Sequence, residues 1–160
     1  MNTIVVGMAA LDCSKAPGVL TTLGLGSCVG IVLYDNINKI GGLAHAMLPD
    51  SKTITNNSNK AKFVDTSIEE MLDKMRKLGA NKAHIRAKLV GGAQMFAIIG
   101  NNEKMKIGER NVDAAITSLK KLGIPLLSKE VGKDYGRTIE FYTLTGDVLV
   151  KTIAHGNKTI

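Results

Sequence analysis

Tryptophan is missing from this chain, and only three Tyr and three Phe stand among its 160 residues. A core must therefore be built from Val, Ile, Leu, Met and Ala, and a surface that stacks nucleic-acid bases on aromatic rings has little to draw on. Cysteine is scarce as well. Cys13 and Cys28 lie in unlike surroundings and give no disulfide framework, and with three widely separated histidines they give no zinc-like spacing. No run approaches the ~18 uninterrupted apolar residues of a membrane span. The opening MNTIVVGMAALD has no basic n-region of a secretory signal. These absences lead us to expect a cytoplasmic protein with free thiols, no membrane insertion and no structural metal. They also fit a single domain over residues 1–160, long enough to bury well over half of its unfolded surface without a covalent staple.

What is present is an ordinary globular balance, 44% hydrophobic and 22% charged, with a net charge of +7. The basic residues cluster as Lys74, Arg76 and Lys77; Lys82, Arg86 and Lys88; and Lys120 with Lys121. Such clusters are the solvated faces of helices and strands, or a surface for an acidic partner. Without interleaved aromatics or a recognition motif they do not point to nucleic acid.

Thr3 to Met8 is a short β-branched run and reads as a strand, Ala9 to Thr21 reads as irregular with a turn at Pro17-Gly18, and Gly24 to Cys28 is a glycine-rich approach to the next run. The apolar runs Val29–Tyr34 and Ile40–Leu48 flank an Asn/Asp-rich turn and predict a β-hairpin. A polar loop follows over Ser51 to Asn59. Val64, Ile68, Met71, Leu72, Met75 and Leu78 then recur at helical spacing up to Gly79. Ala83–Val90 alternates as a half-buried strand with His84, Arg86 and Lys88 outward. A second helix is predicted from about Asn111 to Leu122, then strands over Pro125–Val131, Arg137–Thr143 and Val148–Ile153, and a frayed polar tail. About seven strands, paired as hairpins, and two long helices make an α+β (mixed α/β) fold. The expected form is a layered sandwich of largely antiparallel or mixed β-sheet with the two helices packed on it.

Few side chains here can act as nucleophiles or bases. His84 shares a face with Arg86 and Lys88, and His155 lies in the polar tail. His45 is embedded in the apolar strand Leu43-Ala44-His45-Ala46-Met47, where it is either a satisfied core histidine or a base. Cys28, after the glycine-rich stretch, is either a buried inert thiol or a nucleophile. The glycines are not a phosphate loop, because no Gly-Lys-Ser/Thr follows and a strand succeeds them. A hairpin turn centred between Asn36 and Ile37 would set Cys28 directly across from His45, with Cβ atoms ~4.5–5.5 Å apart. A thiol and an imidazole at that spacing are the nucleophile and base of a cysteine hydrolase. Thr22 is the leading candidate to orient the ring, and Asp50 a weaker one.

The segment Thr22-Leu23-Gly24-Leu25-Gly26-Ser27-Cys28-Val29, followed by Ala44-His45-Ala46-Met47-Leu48-Pro49-Asp50-Ser51, resembles the CheD family of chemoreceptor glutamine deamidases. Gly91-Gly92-Ala93-Gln94-Met95-Phe96 and Ile107-Gly108-Glu109-Arg110-Asn111 extend the likeness over essentially the whole chain. The resemblance implies a catalytic Cys28, His45 and Thr22 without metal or organic cofactor. Gly26, Ser27 and Phe96 are the expected oxyanion or substrate-binding positions. The implied reaction hydrolyses glutamine side chains of methyl-accepting chemotaxis receptors to glutamate through a thioester. The implied partners are those receptors and a CheC-type phosphatase of CheY. The alternatives are a receptor- or CheC-binding regulatory module with little turnover, and a thiol amidase with another substrate.

Overall fold

The computed structural model describes residues 2–95 and 106–160. The first half supplies strands β1 (Asn2–Val5), β2 (Leu11–Lys15), β3 (Gly18–Leu25), β4 (Val29–Asp35) and β5 (Ile40–Ala46), then helix α1 (Val64–Lys77). The second half supplies β6 (Ile85–Gly91), α2 (Ile107–Leu122), β7 (Leu126–Val131), β8 (Arg137–Tyr142), β9 (Val148–Lys151) and β10 (Asn157–Thr159). They form two five-stranded sheets, ordered β1-β3-β8-β9-β10 and β2-β5-β4-β6-β7. Each is mixed: β1 with β3 and β6 with β7 run parallel, and the other neighbours antiparallel. The expected α+β sandwich is the observed class.

The layers follow from side-chain alternation. Every residue of β4 and β5 is buried, so both strands read as continuous apolar runs and are covered on two faces. Val29, Ile31 and Leu33 face the helices, where they meet Ile68, Met71, Met75, Ala115 and Leu119. Cys28, Val32 and Tyr34 face the first sheet, where they meet Leu20, Leu25, Ile139 and Phe141. Each fully buried Leu, Ile or Phe contributes about 1.5–3 kcal/mol, so the two layers together outweigh any surface ion pair. Gly41 leaves β5 bare where the Phe141 ring seats, and Gly42 does the same for the sulfur atoms of Met71 and Met75.

Four expectations change. Ala9–Thr21 is not irregular but carries β2 and the start of β3; β2 buries only Cys13, so its sequence shows no clean alternation. Helix α2 begins at Ile107, four residues before Asn111. Its first turn holds Gly108 because a Cβ there would run into the Ala93 carbonyl. The tail is not frayed: β10 pairs with β9 although all three of its residues are exposed, because backbone bonds rather than side chains hold it. His84 sits in a 3₁₀ turn before β6, with Nδ1 3.8 Å from the buried Asp35 carboxylate.

Candidate active site

The β4–β5 hairpin brings two of the candidate residues to one face. Its turn is Asn36–Lys39, between the paired Asp35 and Ile40. The Asp35 carboxylate holds it by accepting the N–H groups of Ile37 and Asn38. The turn therefore centres one residue later than the sequence suggests. His45 lies opposite Gly30, not Cys28, and Val29 opposite Ala46. The shift preserves the face, because moving the centre by a whole residue offsets each partner by two. Cys28 stands on the face that carries His45, one residue beyond the last paired position, Val29 with Ala46.

His45 is 1% exposed and its surroundings are specific. Its backbone is paired on both sides, to Gly30 in β4 and, through its N–H and C=O, to Ala10 and Ala9 before β2. Its Nδ1 lies 2.7 Å from Thr22 Oγ1. That hydroxyl donates its single proton to the Val6 carbonyl at 2.6 Å. It can then only accept from the ring, so Nδ1 carries the hydrogen and Nε2 holds the lone pair. Nε2 is buried and among the described residues has no hydrogen-bond partner. Burial lowers the His45 pKa, which keeps the ring neutral at pH 7. A neutral imidazole with a fixed Nδ1–H and an open Nε2 is poised as a base.

Cys28 ends the glycine-rich approach and is 8% exposed. The approach is shaped by a bulge. Thr22 pairs with Ile139 and Leu25 with Arg137, so Leu23 and Gly24 together face one residue of β8. Gly24 takes φ +67°, the left-handed region that bulges assign to glycine. Beyond it the carbonyls of Gly26 and Cys28 accept from the N–H groups of Ala93 and Gly92 at 2.8 and 2.9 Å. Among the described residues no backbone carbonyl takes the N–H of Gly26, Ser27 or Cys28. Burial raises the Cys28 pKa, and its own backbone N–H lowers it in part. Burial thus favours the neutral thiol and the neutral imidazole, and no hydrogen bond joins Cys28 to the His45 ring.

Other candidates fall elsewhere. Phe96 lies outside the described residues. Asp50 caps the 3₁₀ turn Ser51–Thr53 through the N–H of Lys52, so Thr22, not Asp50, meets the ring. Cys13 is buried on the helix side, pushed up to about 12. An open cleft of about 540 Å³, lined by Gly24, Met95, Gly136, Arg137, Lys151 and Ile153, adjoins the Cys28 loop, where the Met95 side chain packs on Gly26. Sequence reasoning missed Val6 and Asn111. The signal for Asn111 was a lone polar residue on the inward stripe Gly108, Val112, Ala115, Leu119 of α2. For Val6 there was none, because a backbone carbonyl does the work. Among the described residues no three His, Cys, Asp or Glu side chains converge as metal ligands.

Fold and site together define a class: an α+β two-sheet protein with a thiol, an imidazole and a hydroxyl buried at one end of the intersheet layer. The family model for CheD chemotactic sensory transduction matches residues 47–152. A relative from Caldanaerobacter subterraneus subsp. tengcongensis, "Probable chemoreceptor glutamine deamidase CheD", is 58% identical over 97% of this chain and 96% of its own. The "Chemoreceptor glutamine deamidase CheD" of Halalkalibacterium halodurans is 46% identical over the full length of both. Among solved structures, Bacillus licheniformis hypothetical protein YfiH is 16% identical at a TM-score of 0.45, covering 75% of this chain and 49% of that one. The chain belongs to the CheD family.

Proposed function

We propose that the protein is a single-domain cysteine amidohydrolase of the cytoplasm that converts selected glutamine side chains of methyl-accepting chemotaxis receptors to glutamate. Family membership supports the substrate class. The observation that carries the mechanism is the relay Val6 carbonyl, Thr22 hydroxyl, His45 Nδ1, which leaves Nε2 open on the Cys28 face.

Four steps follow. His45 Nε2 takes the Cys28 proton as the thiolate attacks the glutamine Cδ, and the carbonyl oxygen becomes an oxyanion. The N–H groups of Gly26, Ser27 and Cys28 are the donors in reach of that oxygen. The C–N bond breaks as the imidazolium gives its proton to the departing ammonia, leaving a glutamyl thioester. Water then attacks the thioester, His45 accepts its proton, and the thiol is restored as glutamate leaves. Thr22 holds the ring throughout. A CheC-type phosphatase of CheY is the second partner of this reading.

The test is mass spectrometry of receptor cytoplasmic fragments incubated with wild type, Cys28→Ala and His45→Ala. Wild type is expected to add about one dalton per converted glutamine, and either variant to lose at least ~100-fold in rate. Turnover at the wild-type rate in Cys28→Ala overturns the mechanism. Receptor binding with no mass change in wild type identifies a binding module instead.

A further inference from the structure

The β4–β5 ladder stops one residue short of the thiol. Its last pair is Val29 with Ala46, and beyond it the two chains part. On one side the N–H of Met47 turns away to the Lys62 carbonyl at 2.8 Å. On the other, Ser27 and Cys28 belong to the loop that Gly92 and Ala93 hold. Where a further ladder bond would stand, one side chain intervenes. The amide nitrogen of Asn111, from α2, donates to the Ser27 carbonyl and to the Met47 carbonyl, each at 2.9 Å. Asn111 is fully buried, and among the described residues its Oδ1 has no hydrogen-bond partner. The amide orientation is fixed by chemistry, since two carbonyls can only be served by the NH₂ group.

A buried asparagine with one end unpaired is costly unless the other end does something an apolar side chain cannot. Here that end ties the residue before Cys28 to the residue two beyond His45, across the gap where strand pairing has ended. We propose that Asn111 is a positioning residue of the deamidation site: it clips the Ser27 and Met47 backbones together and so sets the separation of the Cys28 thiol from the His45 ring. The inference rests on the Cys28–His45 reading above. It also gives α2 a role in the reaction, since its first turn is seated on Gly92 by the absence of a Cβ at Gly108.

The clip acts on proton transfer and attack, not on receptor binding. Asn111→Leu keeps the shape and removes the donor. On a receptor cytoplasmic fragment it is expected to lower kcat by about 10- to 100-fold, the scale of a misplacement near 1 Å, with KM within about twofold. Asn111→Asp points an acceptor at two carbonyls, and its carboxyl gains one O–H donor only when protonated. Its deficit relative to wild type is therefore expected to shrink as pH falls from about 8 to about 6, whereas that of Asn111→Leu stays constant. Leu119→Ala, a core truncation further along α2, is the control for simple destabilisation: it lowers the melting temperature and leaves kcat in place. Wild-type kcat in folded Asn111→Leu, or a loss confined to KM, overturns the proposal. If Asn111→Leu does not fold, the pH dependence of Asn111→Asp decides alone, and a deficit that does not change with pH overturns it. Cys28→Ala and His45→Ala run alongside: their inactivity with normal Asn111 variants removes only the clip, whereas their activity removes the underlying site.

Discussion

Thr22 has one proton to give, and the Val6 carbonyl takes it. That makes the hydroxyl an acceptor toward His45 and selects the tautomer a base needs, without any carboxylate in the relay. The consequence is testable by exchanging what Thr22 carries. Thr22→Ser retains the hydroxyl and is expected to keep most of the activity, whereas Thr22→Val keeps the shape and is expected to lower kcat roughly 100-fold, as a freed ring misplaces its nitrogen. Equal rates in the two variants would show that the hydroxyl orients nothing. The resting ionisation follows from the same environment. Burial lifts Cys28 above the ordinary value of 9.0, so its thiolate fraction at neutral pH is smaller than that of an ordinary cysteine. Iodoacetamide labelling of Cys28 in the free protein is expected to keep rising as pH passes 9.0, with Cys13, at about 12, labelled later still. Labelling already near its maximum in mild acid would instead reveal a thiolate–imidazolium pair at rest. His45 also has a stability signature. Its folded pKa is lowered, so it favours the folded state above 6.5, and that contribution drains away as pH falls below 6.5, where the unfolded chain takes the proton more readily.

At the scale of elements, the site depends on where β6 ends. Gly91 has φ +104°, and a Cβ there would stand 2.5 Å from the Cys28 carbonyl oxygen. Gly91→Ala combines left-handed strain of about 1–2 kcal/mol with overpacking of about 1–3 kcal/mol. Gly156, at φ +76° with nothing within 4 Å, carries the strain alone. Thermal melting is expected to drop by roughly 4–20 °C for Gly91→Ala and clearly less for Gly156→Ala; equal losses would mean that β6 does not press on the Cys28 loop. What was legible beforehand divides along the same line. Helix α1 and the β4–β5 hairpin could be read because their apolar residues recur at helical spacing or flank a turn, and Cys28 and His45 could be put on one face from parity alone. The register could not, because a four-residue turn held by Asp35 looks in sequence like any Asn-rich turn. Nor could β2, which buries only Cys13 and shows no clean alternation, or β10, whose residues are polar and held by backbone bonds, or the bulge at Leu23-Gly24, whose glycine reads as loop. The Asn111 clip and the Val6 carbonyl join segments far apart in the chain, which local pattern does not connect.

At the scale of the whole molecule, the chain carries a charge surplus of seven, and of its cationic side chains Arg137 is buried, paired with Glu130. The ion pairs of α1 are exposed ones, Lys60 with Glu70, Lys74 with Asp12, and Arg76 and Lys77 with Asp73, and pairs of that kind contribute little to stability. Their bearing is on encounter. A basic protein approaching a partner of opposite charge is drawn in by a field that extends about 10 Å at 0.1 M salt, which raises the rate of productive collision without altering chemistry after docking. Deamidation of receptor fragments should therefore show kcat/KM falling several-fold as salt rises from about 0.05 to 0.5 M, while kcat holds steady. The two constants separate the explanations: a fall in kcat would point to salt disturbing the site itself. Reversing the charges at the end of α2, Lys120→Glu with Lys121→Glu, removes four units from the surplus at positions remote in sequence from Thr22, Cys28 and His45. If the field steers, that variant has a lower kcat/KM at low salt and a flatter salt dependence, and converges with wild type at high salt. A kcat/KM indifferent to salt in both proteins would mean that the receptor is recognised by shape and apolar contact alone.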